Sequence, residues 1–182
     1  MPGSLLQGLR RHRIGLFCLG VVALNIYIKL TLQPIPMGLP VGTSLAAEMD
    51  RAGDVRATVR EVATGHRLTV LTFFETWCGP CRLELPVLDR LLAEHPDANL
   101  AVLGFYGTSS AAEIAPFARQ LGLHFDLLLD DEGSLATALG VQAVPTSYVV
   151  DAQLRIVAAA HGFEPSFPTE IRRLLLPAQE TP

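Results

Sequence analysis

Cys78 and Cys81 stand two residues apart in the run Trp77-Cys78-Gly79-Pro80-Cys81, and that spacing limits what two thiols can do. An apolar segment ends just before them and a helical pattern starts with them, so Cys78 is expected at a helix N-terminus. There the unpaired backbone N–H groups and the positive end of the helix dipole favour thiolate over thiol. Cys81 follows by one helical turn, within reach of a sulfur bonded to Cys78. The pair reads as a nucleophile, Cys78, and a resolving thiol, Cys81. Pro80 suits a first helical turn, and Gly79 with Pro80 leaves little side chain in the way of an incoming polypeptide. Other uses of the two cysteines fit less well. A disulfide closing so short a loop contributes only about 2 kcal/mol by the chain-entropy relation. Zinc needs two more ligands, yet Cys18 lies in an apolar run and His66, His95, His124 and His161 are scattered singly, without the paired spacing of zinc modules. Two thiolates also suit Cu(I), which keeps a copper-carrying alternative open, although no histidine lies near the pair in sequence.

The surrounding elements follow from periodicity. Residues 55–60 alternate like a half-buried edge strand, whereas 68–74 form a nearly continuous apolar run like a central strand. A helix is expected from about Cys78 to Glu94, with Leu83, Val87, Leu88, Leu91 and Leu92 as its apolar stripe. Residues 100–105 read as a second buried strand. Ser110 and Glu113 form a capping-box pattern opening a helix with the stripe Ile114, Phe117 and Leu121. A short strand at 127–129, a short helix at 134–139, a strand pair at 148–150 and 154–159, and a last helix at 168–176 complete the chain. Strands alternating with helices and ending in a strand pair predict an α/β fold with a mixed sheet and helices on both faces.

The chain has 182 residues, 49% of them hydrophobic and 18% charged, which excludes a disordered chain. Arg10, Arg11, Arg13 and Lys29 are the charged residues that precede Glu48. The rest is acidic, so general nucleic-acid binding is not expected. Residues 1–13 read as a basic cytoplasmic head and 14–32 as a transmembrane signal anchor, since nineteen residues of helix extend about 28 Å. A cleaved signal peptide is the alternative, but the small-x-small site Ser44-Leu45-Ala46 falls well past the apolar run. The basic head then stays in the cytoplasm and the remainder is exported. Residues 33–54 read as a Pro- and Gly-rich linker and 55–182 as the folded domain. In an exported compartment thiols meet oxidants, so a reductant needs electrons delivered to it.

Residues 72–86, TFFETWCGPCRLELP, together with residues 140–151, GVQAVPTSYVVD, resemble the TlpA/ResA type of thioredoxin-like proteins, which are membrane-anchored thiol-disulfide oxidoreductases. The resemblance covers about 55–176 and implies a thioredoxin-like fold in which residues 100–141 contain an inserted strand and helix. It also implies that Pro145 is a cis-proline beside the cysteines and that Val144 offers backbone groups to an extended substrate. Glu84 matches an acidic residue that members of this type use near the pair. Thr72 occupies the register where thioredoxin has a buried aspartate and cannot accept a proton. Glu75 stands where alanine is common; its charge is expected to raise the cysteine pKa values, unless it is merely a solvated strand-end residue. Trp77, Gly79 and Pro80 complete the residues expected to tune the site. A glycine usual in the late hairpin turn is replaced by Asp151-Ala152-Gln153. The implied activity is reduction of disulfides in exported client proteins, at the outer face of a bacterial inner membrane. The Cys78–Cys81 disulfide would serve as the redox centre, with no separate cofactor or metal, and a membrane thiol transporter would supply electrons. Disulfide oxidase, isomerase and tethered Cu(I) metallochaperone are the alternatives.

Overall fold

The computed structural model describes residues 21–24, 38–51 and 55–176. The chain divides into two units, Met1–Pro36 and Met37–Pro182. In the first, residues 21–24 are helical; the basic head and the rest of the expected anchor lie outside the described residues. Among the described residues no helix is long and apolar enough to cross a membrane.

In the second unit, strands β1 (Leu68–Phe73), β2 (Leu100–Tyr106), β3 (Asp126–Leu129), β4 (Thr146–Asp151) and β5 (Ile156–His161) form one sheet in the order β3-β2-β1-β4-β5. β1, β2 and β3 are parallel, while β4 runs antiparallel to β1 and β5 antiparallel to β4. The mixed sheet expected from the sequence is present. β1 is buried along its whole length, as a strand covered on both faces must be.

Side-chain alternation divides the core into two layers. Leu68, Val70, Leu100, Val102 and Val149 pack with helices α2 (Cys81–Glu94), α3 (Ala111–Leu121) and α5 (Phe167–Leu175). Leu71, Phe73, Leu103, Phe105, Tyr148 and Val150 face the opposite way, toward helices α1 (Val55–Gly65) and α4 (Ser134–Ala138). The capping box of α3 forms as expected, with the Ser110 N–H donating to Glu113 Oε2 at 2.8 Å.

Residues 55–60, expected as an edge strand, instead begin helix α1. The six-residue alternation was too short a window, because the stripe continues through Val62 and Ala63 at helical spacing. Val59 and Ala63 are fully buried, whereas Ala57, which alternation would place inside, is exposed. The stripe of α2 also differs: Leu85, Leu88 and Leu91 are buried, and Leu83 is 58% exposed.

The described part of the Pro- and Gly-rich segment is packed onto the sheet. The Gly42 N–H donates to Ile156 O, Ile156 N–H to Thr43 O and Leu45 N–H to Leu154 O, at 2.8–2.9 Å, so this segment covers part of the β5 edge. The Leu39 N–H donates to Tyr148 Oη, and the Leu45 side chain is fully buried. Proline and glycine exclude a helix or central strand here, but they leave single bridges such as Ser44 to Arg155 intact. The hairpin between β4 and β5 manages without glycine because Asp151 Oδ1 accepts the N–H groups of Gln153 and Arg155. Leu154 takes the left-handed conformation, φ 58°.

Leu45→Ala is expected to cost roughly 2–5 kcal/mol of unfolding free energy, as for other large-to-small core changes. Urea denaturation measures it, and a loss below about 0.5 kcal/mol, the range of surface substitutions, would remove Leu45 from the core.

Candidate functional site

β1 delivers the chain to the site. After Phe73 the strand loses its partner β4, but the Phe74 N–H still donates to Phe105 O on β2, and the chain turns. The Cys78 N–H donates to Glu75 O at 3.1 Å, closing that turn. Cys78 and Cys81 are joined as a disulfide with their Cα atoms 5.3 Å apart. Regular helix begins at Cys81, three residues later than the sequence pattern indicates. The physical reason is visible in the first turn, where the Cys81 N–H points at Cys78 Sγ, 3.1 Å away, rather than at a preceding carbonyl. A backbone donor aimed at sulfur favours the thiolate once the bond is reduced. Cys81 is fully buried and Cys78 nearly so, while Gly79 and Pro80 are exposed.

Glu84 shares the buried face of α2 with Cys81 and is 4% exposed. Its Oε1 lies 2.5 Å from Ser147 Oγ and 3.5 Å from Thr72 Oγ1, and the two hydroxyls are 2.8 Å apart. Thr72 and Ser147 are register partners across β1 and β4, so two central strands present one hydroxyl each to a carboxyl from the helix above. Burial pushes the Glu84 pKa up, outweighing the hydrogen bonds from Ser147 and Thr72, and the charge of Glu164 adds to the rise.

Glu75 sits in an opposite environment. Its Oε1 accepts the N–H groups of Gly107 and Thr108 at 2.9 and 2.8 Å, and its Oε2 accepts the Ser109 N–H at 2.8 Å and the Ser109 hydroxyl at 2.5 Å. Burial pushes its pKa up, but the hydrogen bonds from Ser109, Thr108 and Gly107 outweigh burial and hold it below the ordinary value. The structure therefore places Glu75 neither in solvent nor as an uncompensated charge: it is 6% exposed and ringed by donors.

Val144 and Pro145 are joined by a cis peptide bond, the isomer that the resemblance implies. Pro145 is buried and its carbonyl accepts the Gly162 N–H at 2.7 Å. Among the described residues neither the N–H nor the C=O of Val144 has a hydrogen-bond partner. Val144 and the 69%-exposed Trp77 both line a cavity of about 440 Å³ at the end of the sheet.

Three contributors escaped sequence reading. Ser147 directly precedes the strand expected at 148–150, and nothing in the sequence singled out its hydroxyl. Arg82 donates to Thr76 O at 3.0 Å and lies over the Phe117 ring, 4.9 Å from its centroid, which ties the cysteine loop to α3. Ser109 bonds both Glu75 and the Thr76 N–H. Among the described residues no group of three or more His, Cys, Asp or Glu side chains is arranged to hold a metal ion.

A sheet with this order, a cysteine pair where β1 meets α2 and a cis-proline before β4 define a thioredoxin-like fold. The chain belongs to the AhpC/TSA family, whose model matches residues 46–159. The thiol:disulfide interchange protein CycY of Rhizobium leguminosarum bv. viciae is 32% identical over 138 residues, covering 74% of this chain and 72% of CycY. The thiol-disulfide oxidoreductase ResA of Bacillus thuringiensis subsp. konkukian is 25% identical over 92 residues, covering 50% of this chain and 53% of ResA. The match thus spans about half the length of ResA. Among solved structures, StoA from Bacillus subtilis superposes with a TM-score of 0.53 at 21% identity, over 60% of this chain and 82% of StoA. That likeness bears on the fold.

Because the Glu84 carboxyl titrates higher in the folded chain than in the unfolded one, its contribution favours folding at acid pH and is lost as pH rises through the folded-state value. The stability of oxidised wild type relative to Glu84→Gln is therefore expected to fall as pH rises above about 4, the ordinary carboxyl value. Parallel stability curves in denaturant titrations across that range would contradict the assignment.

Proposed function

We propose that this protein is a membrane-anchored thiol-disulfide oxidoreductase that reduces disulfides in exported proteins. The observation that carries the reading is the Cys81 N–H aimed at Cys78 Sγ beside an exposed Gly79-Pro80. In the reduced protein Cys78 thiolate attacks one sulfur of a client disulfide, forming a mixed disulfide and releasing the other client sulfur as thiolate. Cys81 then loses its proton and attacks Cys78 Sγ. The client leaves with its second thiolate, and Cys78–Cys81 becomes the disulfide. Two electrons have moved to the client, and a membrane thiol transporter returns them to the pair. Glu84 shares the buried face with Cys81, and its raised pKa suits it to take the proton that Cys81 gives up. The unpaired backbone groups of Val144 supply a place where an extended client segment adds as a short strand, with main-chain hydrogen bonds and little sequence preference.

Residues 14–32 serve in this reading as the anchor, with the basic head in the cytoplasm and the thioredoxin-like unit in the periplasm. The Gly79-Pro80 dipeptide matches that of reducing thioredoxin, which supports the reductase direction over oxidase or isomerase.

Cys78→Ser is expected to abolish dithiothreitol-driven insulin reduction. Cys81→Ser should still form the first mixed disulfide and stall, so non-reducing electrophoresis with mass spectrometry would find clients on Cys78. Equal trapping by both variants would reverse or dissolve the assigned roles. Equilibration with glutathione is expected to place the couple nearer thioredoxin's roughly −270 mV than the roughly −120 mV of a strong oxidant, and the latter value would overturn the reductase direction.

A further inference from the structure

Glu75 makes more hydrogen bonds than a strand-end carboxylate needs. Three successive backbone N–H groups, from Gly107, Thr108 and Ser109, converge on it with the Ser109 hydroxyl. These residues form the turn between β2 and α3, which would otherwise leave its donors to water. The same turn reaches back to the cysteine loop. Ser109 Oγ accepts the Thr76 N–H at 3.0 Å, and Thr108 Oγ1 accepts the indole N–H of Trp77 at 3.3 Å. Trp77 is largely exposed, so without that contact little fixes its ring. With it, the indole stands as a wall of the cavity, whose lining also includes Glu75, Thr108 and Val144.

We infer that Glu75 is a positioning residue: its carboxylate clamps the 107–109 turn, and through Thr108 that turn holds Trp77 as one wall of the cleft that takes the client segment. Glu75 acts through Trp77 and does not touch the reacting sulfurs. The inference rests on the oxidoreductase reading for its kinetic arm, while its structural arm is independent of any activity.

Trp77 is the single tryptophan of the chain, so intrinsic fluorescence reports its environment alone. In the full chain, Glu75→Gln keeps the size of the side chain but replaces one acceptor oxygen by a donor facing N–H groups. Its indole emission should shift and become more readily quenched by acrylamide. Its KM for insulin should rise about three- to tenfold, the equivalent of one or two hydrogen bonds, with kcat and the rate toward a small aromatic disulfide within about twofold of wild type. Thr108→Val removes the hydroxyl that accepts the indole N–H, together with its side-chain hydrogen bond to Glu75, at an exposed position, and should reproduce both changes even if Glu75→Gln fails to fold. Unaltered Trp77 fluorescence in either folded variant would overturn the clamp. Equal loss toward insulin and the small disulfide would also overturn it, because Glu75 would then act on the thiols. Wild-type protein inert toward both substrates would instead overturn the oxidoreductase reading, and the fluorescence comparison would still decide the clamp.

Discussion

Strand β1 is hydrogen-bonded to β2 on one side and β4 on the other and is buried along its length. Its carboxyl end must therefore hand the chain over without leaving backbone donors unpaired in a water-poor setting. The Phe74 N–H keeps its bond to β2, the Thr76 N–H goes to Ser109 Oγ, the Cys78 N–H goes to Glu75 O and the Cys81 N–H goes to Cys78 Sγ. Of these four assignments the last is the one with chemical consequence. A sulfur takes the place that a carbonyl would hold in a longer helix, so the demand for a satisfied backbone delivers a polarised Cys78 at the mouth of the sheet.

Two carboxylates flank this turn, and their surroundings drive them in opposite directions. Glu75 is met by three backbone N–H groups and a hydroxyl, which together outweigh burial and favour the charged form. Glu84 is met by two hydroxyls from adjacent strands in a deeper site, and there burial wins. The surroundings of Glu75 thereby favour its charged form and those of Glu84 its protonated form. Thr72 and Ser147, paired across β1 and β4, hold the Glu84 carboxyl that α2 supplies.

The order of elements, the apolar core strands and the cysteine pair were legible because each is a local pattern. Continuous apolar runs marked β1 and β2, and the capping box marked the start of α3. Residues 55–60 were misread because six residues fit both periods, and the side chains that discriminate, Val62 and Ala63, come after them. The environments of Glu75 and Glu84 were not legible. Each depends on partners 32–34 or 63 positions away in sequence, at Gly107–Ser109 or Ser147, and register across strands brings them together. The packing of Leu45 was hidden for a similar reason: proline and glycine around it describe which structures are forbidden, and the β5 edge that receives it lies more than a hundred residues on.

In this account the asymmetry between the two sulfurs follows from backbone geometry: Cys78 Sγ has a donor aimed at it next to the exposed Gly79, and Cys81 is fully buried. Alkylation of the fully reduced wild-type chain by iodoacetamide, followed across pH by mass spectrometry, measures that asymmetry without any substitution. The account predicts that Cys78 is modified first and that its midpoint lies below the roughly 8.5 of an ordinary thiol, with Cys81 protected. Modification of Cys81 at an equal or greater rate, or a Cys78 midpoint at or above the ordinary value, would contradict it.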